Sequence, residues 1–319
     1  MPAGEFDLID RYFSSLTEAD SSLILGPGDD AAIVRVPAEE DLLVAVDTLV
    51  QGVHFFPGTS PSDLGFKSLA VNASDIAAMG GIPRWATLSL TLEDADETWL
   101  SEFASGFASL ARDIGVQLIG GDTTRGPLSI SVQLCGLVKK NKGIRRDGAR
   151  TGDLLYVSGY PGLAALALKF LKQGNALNEG TLAMQRLHRP EPRTELGRRL
   201  NDIASAAIDV SDGLVADLSH VLKASGQAAE IELKSLPVFE ELKTHVDTEE
   251  AYRLILEGGD DYELCFTIPR SKSAVLAEIS EVLDYPIYCI GSIVEGRGIR
   301  FLNEDGSEKE LDIEGWQHF

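Results

Sequence analysis

The chain has 319 residues, of which 44% are hydrophobic and 24% are charged, and this ordinary globular balance excludes a disordered chain. Its 28 Lys and Arg residues against 50 Asp and Glu residues give a formal net charge of −22. Such acidity argues against a nucleic-acid or anionic-membrane partner, because both need a basic surface. The length predicts two domains with separate cores, and no segment approaches the roughly 20 apolar residues of a membrane span.

The first ten residues are acidic and lack the basic and apolar regions of a signal peptide. Cys135, Cys265 and Cys289 each lie in an apolar, strand-like context without CxxC pairing, which indicates buried free thiols. We therefore expect a cytoplasmic protein in a reducing compartment.

The first half of the chain alternates predicted strands and helices. Residues 66–79 form a predicted helix that is apolar except for a stripe at Ser68, Asn72 and Asp75, and residues 116–124 form a strand that runs into a Gly-Gly turn. The period-2 alternation of 128–138 is typical of a half-exposed or interface strand. The remaining predicted elements are buried strands at 31–36 and 42–50, a strand at 85–92 and a helix at 99–115.

A basic, Gly-rich and non-periodic stretch at 139–153 marks the predicted domain boundary. Strands and helices alternate again beyond it. The sequence thus predicts an α/β (α+β) fold with an N-terminal domain over 1–140 and a C-terminal domain over 150–319.

Six segments share one pattern, in which an apolar strand or helix is followed by aspartate beside Gly, Ser or Thr. A single Asp-Gly sequence is common in turns and at helix N-caps, so each segment alone has an ordinary structural explanation. The segments are centred on Asp29-Asp30, Asp47, Asp75, Asp122, Asp209-Asp212 and Asp260-Asp261.

Asp47 and Asp75 are the hardest of these to explain as turn residues, because their neighbours are almost wholly apolar. Burying an isolated carboxylate costs several kcal/mol unless a partner compensates it. Few basic residues are near these motifs, so divalent cations are the natural counter-charge if the aspartates converge. Mg²⁺ is bound through carboxylates, waters and substrate phosphates, which predicts a magnesium-nucleotide site.

The sequence lacks HExxH, zinc-type Cys/His spacing, GxSxG, a P-loop and kinase motifs. The glycines before Asp122 leave backbone N–H groups available for phosphate, and Arg145 and Arg146 suit phosphate binding, although a solvated basic loop is the alternative. For His54 the alternative to a functional role is a packed structural residue, and for Trp316 it is an anchor for the tail.

Taken in order, these segments resemble the thiamine-monophosphate kinase family, within the superfamily of aminoimidazole ribonucleotide synthetase and selenophosphate synthetase. The resemblance covers nearly the whole chain and implies a PurM-like architecture, with an N-terminal sheet domain that forms a homodimer and a C-terminal α/β domain that folds over the active site. The matching segments are GPGDDAA, VDTLVQGVHF, KSLAVNASDIAAMGG, LIGGDTTRG, RRDGARTGD, DVSDGL, GGDDYELCFT and the final tryptophan.

The resemblance implies transfer of a phosphoryl group from ATP to thiamine monophosphate, directly and in line, assisted by several Mg²⁺ ions. It places Asp47, Asp122 and Arg146 in catalysis. It also assigns three sets of ligands: Asp30, Asp47, Asp75, Asp122, Asp209 and Asp212 for Mg²⁺; Gly121, Asp122, Arg146 and Ser211 for ATP; and His54, Asp260 and Trp316 for thiamine monophosphate.

Two positions depart from the family pattern. Val46 stands where Ser or Thr is common, so that only its backbone could serve as a ligand, and Asp260 stands where Glu is common. Another ATP-dependent enzyme of the superfamily, acting on a different phosphorylated intermediate, is the alternative function. An acidic divalent-cation-binding regulatory module is a further alternative, although no EF-hand loop is present.

Overall fold

A computed structural model of the chain describes residues 12, 21–175 and 177–311. The chain divides into two compact units. The first holds residues up to 76 together with 81–143, and the second holds 77–80 and the residues from 144 onward. Among the described residues, no helix is both long and apolar enough to cross a membrane.

The first unit contains a two-stranded and a four-stranded sheet. Its elements are β1 (Leu23–Leu25), β2 (Ile33–Val34), β3 (Glu40–Val50), α1 (Pro61–Ala78), β4 (Ile82–Leu92), α2 (Glu97–Ile114), β5 (Gln117–Arg125) and β6 (Ser129–Lys139). The four strands are ordered β3-β6-β4-β5, so β3 and β5 form the two edges. Within this four-stranded sheet, β4 and β5 are parallel and the other neighbouring pairs are antiparallel.

The core of the first unit lies between one face of this sheet and helices α1 and α2. Leu69 of α1 and Phe103 of α2 are fully buried against inward-facing strand residues such as Leu90 and Leu134. Helix α2 begins at an Asp96 cap and ends at Gly115, which adopts φ 71°. The opposite, outer face of the sheet is partly covered, because Leu23 of β1 packs with Trp85 in a smaller cluster.

The second unit is built on a seven-stranded mixed sheet. Its strands are β7 (Leu154–Ser158), β8 (Ala206–Val210), β9 (Ala228–Glu232), β10 (Glu263–Ile268), β11 (Ile287–Val294), β12 (Gly298–Leu302) and β13 (Glu308–Lys309), in the spatial order β13-β12-β9-β11-β7-β10-β8. Its helices are α3 (Leu163–Lys172), α4 (Leu182–His188), α5 (Thr194–Leu200), α6 (Leu214–Ser225), α7 (Glu240–His245), α8 (Thr248–Glu257) and α9 (Ser273–Ser280).

Both faces of this second sheet are buried. Leu155 and Val157 of β7 belong to the cluster that includes α3, α6 and α8, whereas Tyr156 between them belongs to the cluster that includes α5 and α9. Successive strand residues point to opposite faces, so a strand covered by helices on both sides is apolar throughout. The mixed α/β fold with two domains is thereby confirmed.

Three local predictions were wrong. The strands expected at 31–36 and 42–50 are not buried, because the first is limited to Ile33–Val34 and the second exposes one face at the edge of the sheet. The glycines at 120 and 121 do not form a turn, because β5 continues through them and pairs with β4. Cys265 is buried as expected, but Cys135 is only half-buried, and Cys289 is exposed at an irregularity in the pairing of β11 with β7.

Candidate active site

In the first unit, strand β3 and helix α1 bring two predicted magnesium ligands together. Asp47 is half-buried on the core-facing side of β3, and Asp75 is half-buried near the end of α1. Burial raises the pKa of Asp47, and this shift is opposed by a hydrogen bond between the Asp47 and Asp75 side chains and by the electrostatic interaction with His54. Two carboxyl groups in contact compete for one proton, and a cation would relieve this competition.

His54 lies in the turn that follows β3, next to this carboxyl pair. Its Nδ1 accepts the backbone N–H of Val50 at 3.0 Å, and its own backbone N–H donates to the Val50 carbonyl, also at 3.0 Å. Both contacts fix the imidazole at the end of the strand, since the ring and the backbone are tied to the same residue. The structure therefore places this predicted substrate residue beside Asp47.

Helix α1 carries the predicted polar stripe, but its members differ in what they contact. The Ser68 hydroxyl donates to the Gly65 carbonyl within the helix, and the Asn72 amide nitrogen donates to the Ser68 carbonyl. Asn72 is fully buried, and its Oδ1 has no hydrogen-bond partner among the described residues. An unpaired buried oxygen on the helix that carries Asp75 is a hard donor of the kind that Mg²⁺ takes.

Asp122 lies at the other edge of the same sheet. The pairing register runs from Asp47 through Val132 and Leu88 to Gly121, so Asp47 and Gly121 are three strand spacings apart, about 14 Å. Asp122 follows Gly121 and therefore faces the opposite side of the sheet. A single chain thus does not bring Asp122 to the Asp47–Asp75 pair.

The outer face of the sheet carries a polar row that includes Asp122. The row crosses all four strands in register, from Thr48 through Ser131 and Ser89 to Asp122. The Thr48 and Ser131 hydroxyls are 2.7 Å apart. Asp30 is exposed in the turn between β1 and β2, where its backbone N–H donates to the Asp29 carboxylate at 2.9 Å.

Gly121 occupies a position with no room for a side chain. A Cβ atom there would lie 2.0 Å from the Leu88 carbonyl oxygen, whereas at Gly120 the nearest atom would be a Thr87 methyl carbon at 3.9 Å. The backbone of β5 can therefore approach β4 closely only with glycine at 121. This requirement of the sheet accounts for the glycine independently of any ligand.

In the second unit, β8 delivers three further predicted site residues to one turn. Asp209 is buried at the end of the strand, and Ser211 and Asp212 are half-buried before α6 begins. The backbone N–H groups of Ser211 and Asp212 both donate to Asp217, a residue that the sequence motifs did not single out. Burial raises the pKa of Asp217 to about 7, and the charges of Asp209 and Asp212 add to the shift.

The segment after α8 lies against this turn. The backbone N–H of Asp260 donates to the Ser211 carbonyl at 2.8 Å, which places a predicted substrate residue beside a predicted ATP residue. The neighbouring Asp261 is buried and accepts the Gly162 N–H at 2.8 Å, and burial raises its pKa well above the ordinary value.

Glu263 and Arg193 form a buried ion pair that sequence motifs could not reveal. Each side chain is 2% exposed, and the guanidinium donates to both carboxylate oxygens at 2.6 Å. The carboxylate also accepts from the Ser158 hydroxyl at 2.7 Å and from the Tyr160 backbone N–H at 3.0 Å. In the sequence, Glu263 is only an acidic residue at the start of an apolar strand. Nothing in the sequence indicates that Arg193 lies next to it.

Arg146 is exposed at the start of a short 3₁₀ turn, where its carbonyl accepts from the Ser225 hydroxyl at 2.8 Å. The neighbouring Arg145 is paired with Asp147 through two of its donors, at 2.9 and 2.6 Å. The guanidinium of Arg145 thus forms a salt bridge with a carboxylate of its own loop. The predicted substrate residue Trp316 lies outside the described residues.

Within residues 12, 21–175 and 177–311, no three His, Cys, Asp or Glu side chains are grouped in a way that could hold a metal ion. The two carboxylates of the Asp47–Asp75 pair are nevertheless oxygen donors, which suit Mg²⁺ rather than a softer metal.

In the comparison with known proteins, two family models match successive parts of the chain. Residues 28–138 match the family of AIR synthase related proteins, N-terminal domain, and residues 150–302 match the corresponding C-terminal domain. A thiamine-monophosphate kinase of Salmonella typhimurium is 44% identical over 323 residues, which cover 100% of this chain and 99% of that protein.

Two solved structures are similar over nearly the whole chain. The crystal structure of a thiamine-monophosphate kinase from Stenotrophomonas maltophilia K279a is 46% identical, with a TM-score of 0.88 over 95% of this chain and 96% of that one. A structure of AaThiL complexed with AMPPCP and TMP is 34% identical, with a TM-score of 0.78 over 99% and 97% of the two chains. On this evidence, the chain belongs to the thiamine-monophosphate kinase family.

Proposed function

We propose that this protein phosphorylates thiamine monophosphate to thiamine diphosphate at the expense of ATP. The observation that carries the proposal is the 34% identity, across 99% of the chain, to a protein solved with AMPPCP and TMP. AMPPCP is an ATP analogue, and TMP in this family is thiamine monophosphate. The aspartate and glycine motifs of this sequence supply the chemistry that such a pair of phosphate compounds requires.

The acceptor in this reaction is itself a phosphate. Its second pKa is about 6, so it is largely ionised near neutral pH and needs little help from a general base. The main barrier is the approach of two polyanions in line. Residues that position the phosphates and offset their charge therefore matter more than a proton acceptor, and we propose a direct transfer without a phospho-enzyme.

The proposed roles are those that the resemblance to the family assigns to these positions. Bound Mg²⁺ would neutralise phosphate charge. Asp30, Asp47, Asp75 and Asp122 of the first unit and Asp209 and Asp212 of the second would hold these ions. Gly121, Asp122, Ser211 and Arg146 would contact ATP, and His54, Asp260 and Trp316 would contact thiamine monophosphate.

The contact between Asp47 and Asp75 supports the metal assignment in the first unit. Two half-buried carboxyl groups are held together there by a strand and a helix, beside the imidazole of His54. Holding like charges together is unfavourable in an empty site and becomes favourable when a divalent cation lies between them.

We further propose that the protein is a homodimer formed through the outer face of the first sheet. Leu42, Val44 and Val46 alternate along the edge strand β3 and are 42%, 59% and 64% exposed. An exposed apolar stripe of this kind is typical of an interface. Asp122 lies on the same outer face, so a second chain docked there would come close to it.

The test is a steady-state assay with ATP, Mg²⁺ and thiamine monophosphate that follows the formation of thiamine diphosphate by chromatography. We expect product in proportion to the enzyme added and equimolar ADP. Absence of product, together with turnover of a different phosphate ester, would overturn the proposal in favour of another activity of the superfamily.

A further inference from the structure

The turn between β8 and α6 is held by one buried carboxylate. Oδ2 of Asp217 accepts the backbone N–H of Ser211 at 2.9 Å and that of Asp212 at 3.0 Å. Asp217 lies in the first turn of α6 and is 4% exposed. A single buried oxygen that accepts two backbone donors ties both peptide groups of the turn to one side chain.

The other side of the same turn holds the segment that carries Asp260. The carbonyl of Ser211 accepts the N–H of Asp260 at 2.8 Å, and the carbonyl of Val210 accepts the N–H of Tyr262 at 2.8 Å. The peptide groups of the turn are thus bonded in both directions, to Asp217 through their N–H groups and to the 260–262 segment through their carbonyls.

The 260–262 segment has a backbone that needs such support. Asp260 and Tyr262 adopt φ values of 70° and 53°, in the left-handed region that non-glycine residues avoid. Strained conformations of this kind persist only where the surroundings determine them. The turn is also tightly enclosed, since a Cβ at Gly213, which has φ 119°, would lie 2.5 Å from the Glu257 carbonyl oxygen.

We propose that Asp217 is a positioning residue for phosphoryl transfer. Its carboxylate fixes the Ser211–Asp212 turn, and that turn sets the backbone position of Asp260. The inference rests on the proposed function, in which Ser211 and Asp212 serve ATP and its metal ions and Asp260 serves the acceptor. A misplacement of about 1 Å at such residues costs on the order of 100-fold in rate.

The experiment compares Asp217→Ala and Asp217→Asn with a matched control, Asp96→Ala. Asp96 also accepts two backbone N–H groups through one oxygen, at 2.8 and 3.3 Å, but it does so at the start of α2. Asp217→Ala should lower kcat by about 10- to 100-fold while KM for ATP stays within about twofold. Asp217→Asn keeps an acceptor oxygen and should remain within about threefold of wild-type kcat, as should Asp96→Ala.

Two kinetic results would overturn the inference. One is an Asp217→Ala enzyme with kcat within about twofold of wild type, and the other is an Asp217→Asn enzyme as slow as the alanine variant. If the alanine variant fails to fold, the asparagine variant alone decides, since a loss of more than about tenfold contradicts a role as acceptor.

Hydrogen exchange of the intact wild-type protein separates this inference from the proposed function. The amides of Ser211 and Asp212, and that of Asp260, which donates to the Ser211 carbonyl, should be protected in wild type and should exchange at least about tenfold faster in Asp217→Ala, with protection in the first unit unchanged. Unprotected amides in wild type would refute the role of Asp217 even if thiamine monophosphate is turned over. Failure of turnover with protected amides would refute only the proposed function.

Discussion

Replacing Glu263 by Gln should destabilise the second unit severely. The wild-type carboxylate is 2% exposed and receives the Arg193 guanidinium, the Ser158 hydroxyl and a backbone N–H. The amide side chain removes the negative charge and places an N–H₂ group among these donors. Arg193 then keeps Glu191, a 55% exposed partner at 3.2 Å, and the face of the Tyr285 ring at 3.8 Å.

The expected loss in the free energy of unfolding is about 3–5 kcal/mol, the usual cost of leaving one member of a buried ion pair uncompensated. Glu195 provides the matched control. It also pairs with arginine through both oxygens, but it is 45% exposed on α5, so Glu195→Gln should cost about 0–1 kcal/mol. Urea denaturation followed by far-UV circular dichroism measures both. A loss below about 1 kcal/mol for Glu263→Gln would refute the argument that burial makes this pair structurally essential.

Three further predictions concern the first unit, and one concerns pH. Asp47→Asn should lower kcat by about 100-fold or more at saturating Mg²⁺ while circular dichroism is unchanged. Val46→Asp should shift the protein from dimer to monomer in analytical ultracentrifugation. Gly121→Ala should lower the melting temperature by about 5 °C or more, because its Cβ would meet backbone. Arg193 keeps the pKa of Glu263 below its usual value against the effect of burial, so this stability is present above about pH 4.3 and is lost as the pH falls through the folded-state pKa.

Control variants at comparable positions test each of the three substitutions. Asp113→Asn, at an exposed position on α2, should leave kcat unchanged, and Val282→Asp, at a valine that is also 64% exposed, should leave the mass unchanged. Gly120→Ala should leave the melting temperature within about 2 °C. For the pH prediction, wild type should lose more unfolding free energy between about pH 6 and pH 3 than Glu263→Gln, and equal losses would contradict it.

Most of the fold could be predicted because it depends on periodic patterns. The helix expected at 99–115 is Glu97–Ile114, since apolar spacing identifies its buried face. The strand expected at 42–50 is Glu40–Val50, but its apolar run could not show that only one of its faces is buried. The Gly-Gly pair was misassigned for a physical reason. Glycine is common in turns, but at 121 it is required by a close approach to another strand, and that neighbour is unknown from the sequence.

The candidate site could be predicted only as separate parts. Asp47 and Asp75 stood out because carboxylates in apolar segments need partners, and the structure does place the two in contact. No comparable sequence pattern identified Asp217, Arg193 or Glu263 as important. Their roles depend on contacts that the sequence does not encode locally, such as the pair Arg193–Glu263, whose members are 70 positions apart.

The position of Asp122 shows what a motif cannot establish. Asp47 and Asp122 belong to similar motifs, yet they lie on opposite edges and opposite faces of one sheet, about 14 Å apart. Magnesium–oxygen distances are about 2.1 Å, so these two carboxylates of one chain cannot bind the same ion directly. The ions proposed at Asp47 and at Asp122 are therefore distinct, or the second carboxylate comes from another chain that reaches the core-facing side of β3 around this edge strand. Mixing Asp47→Asn and Asp122→Asn subunits distinguishes these arrangements, because activity is regained in the mixed dimer only if each site uses residues from both chains.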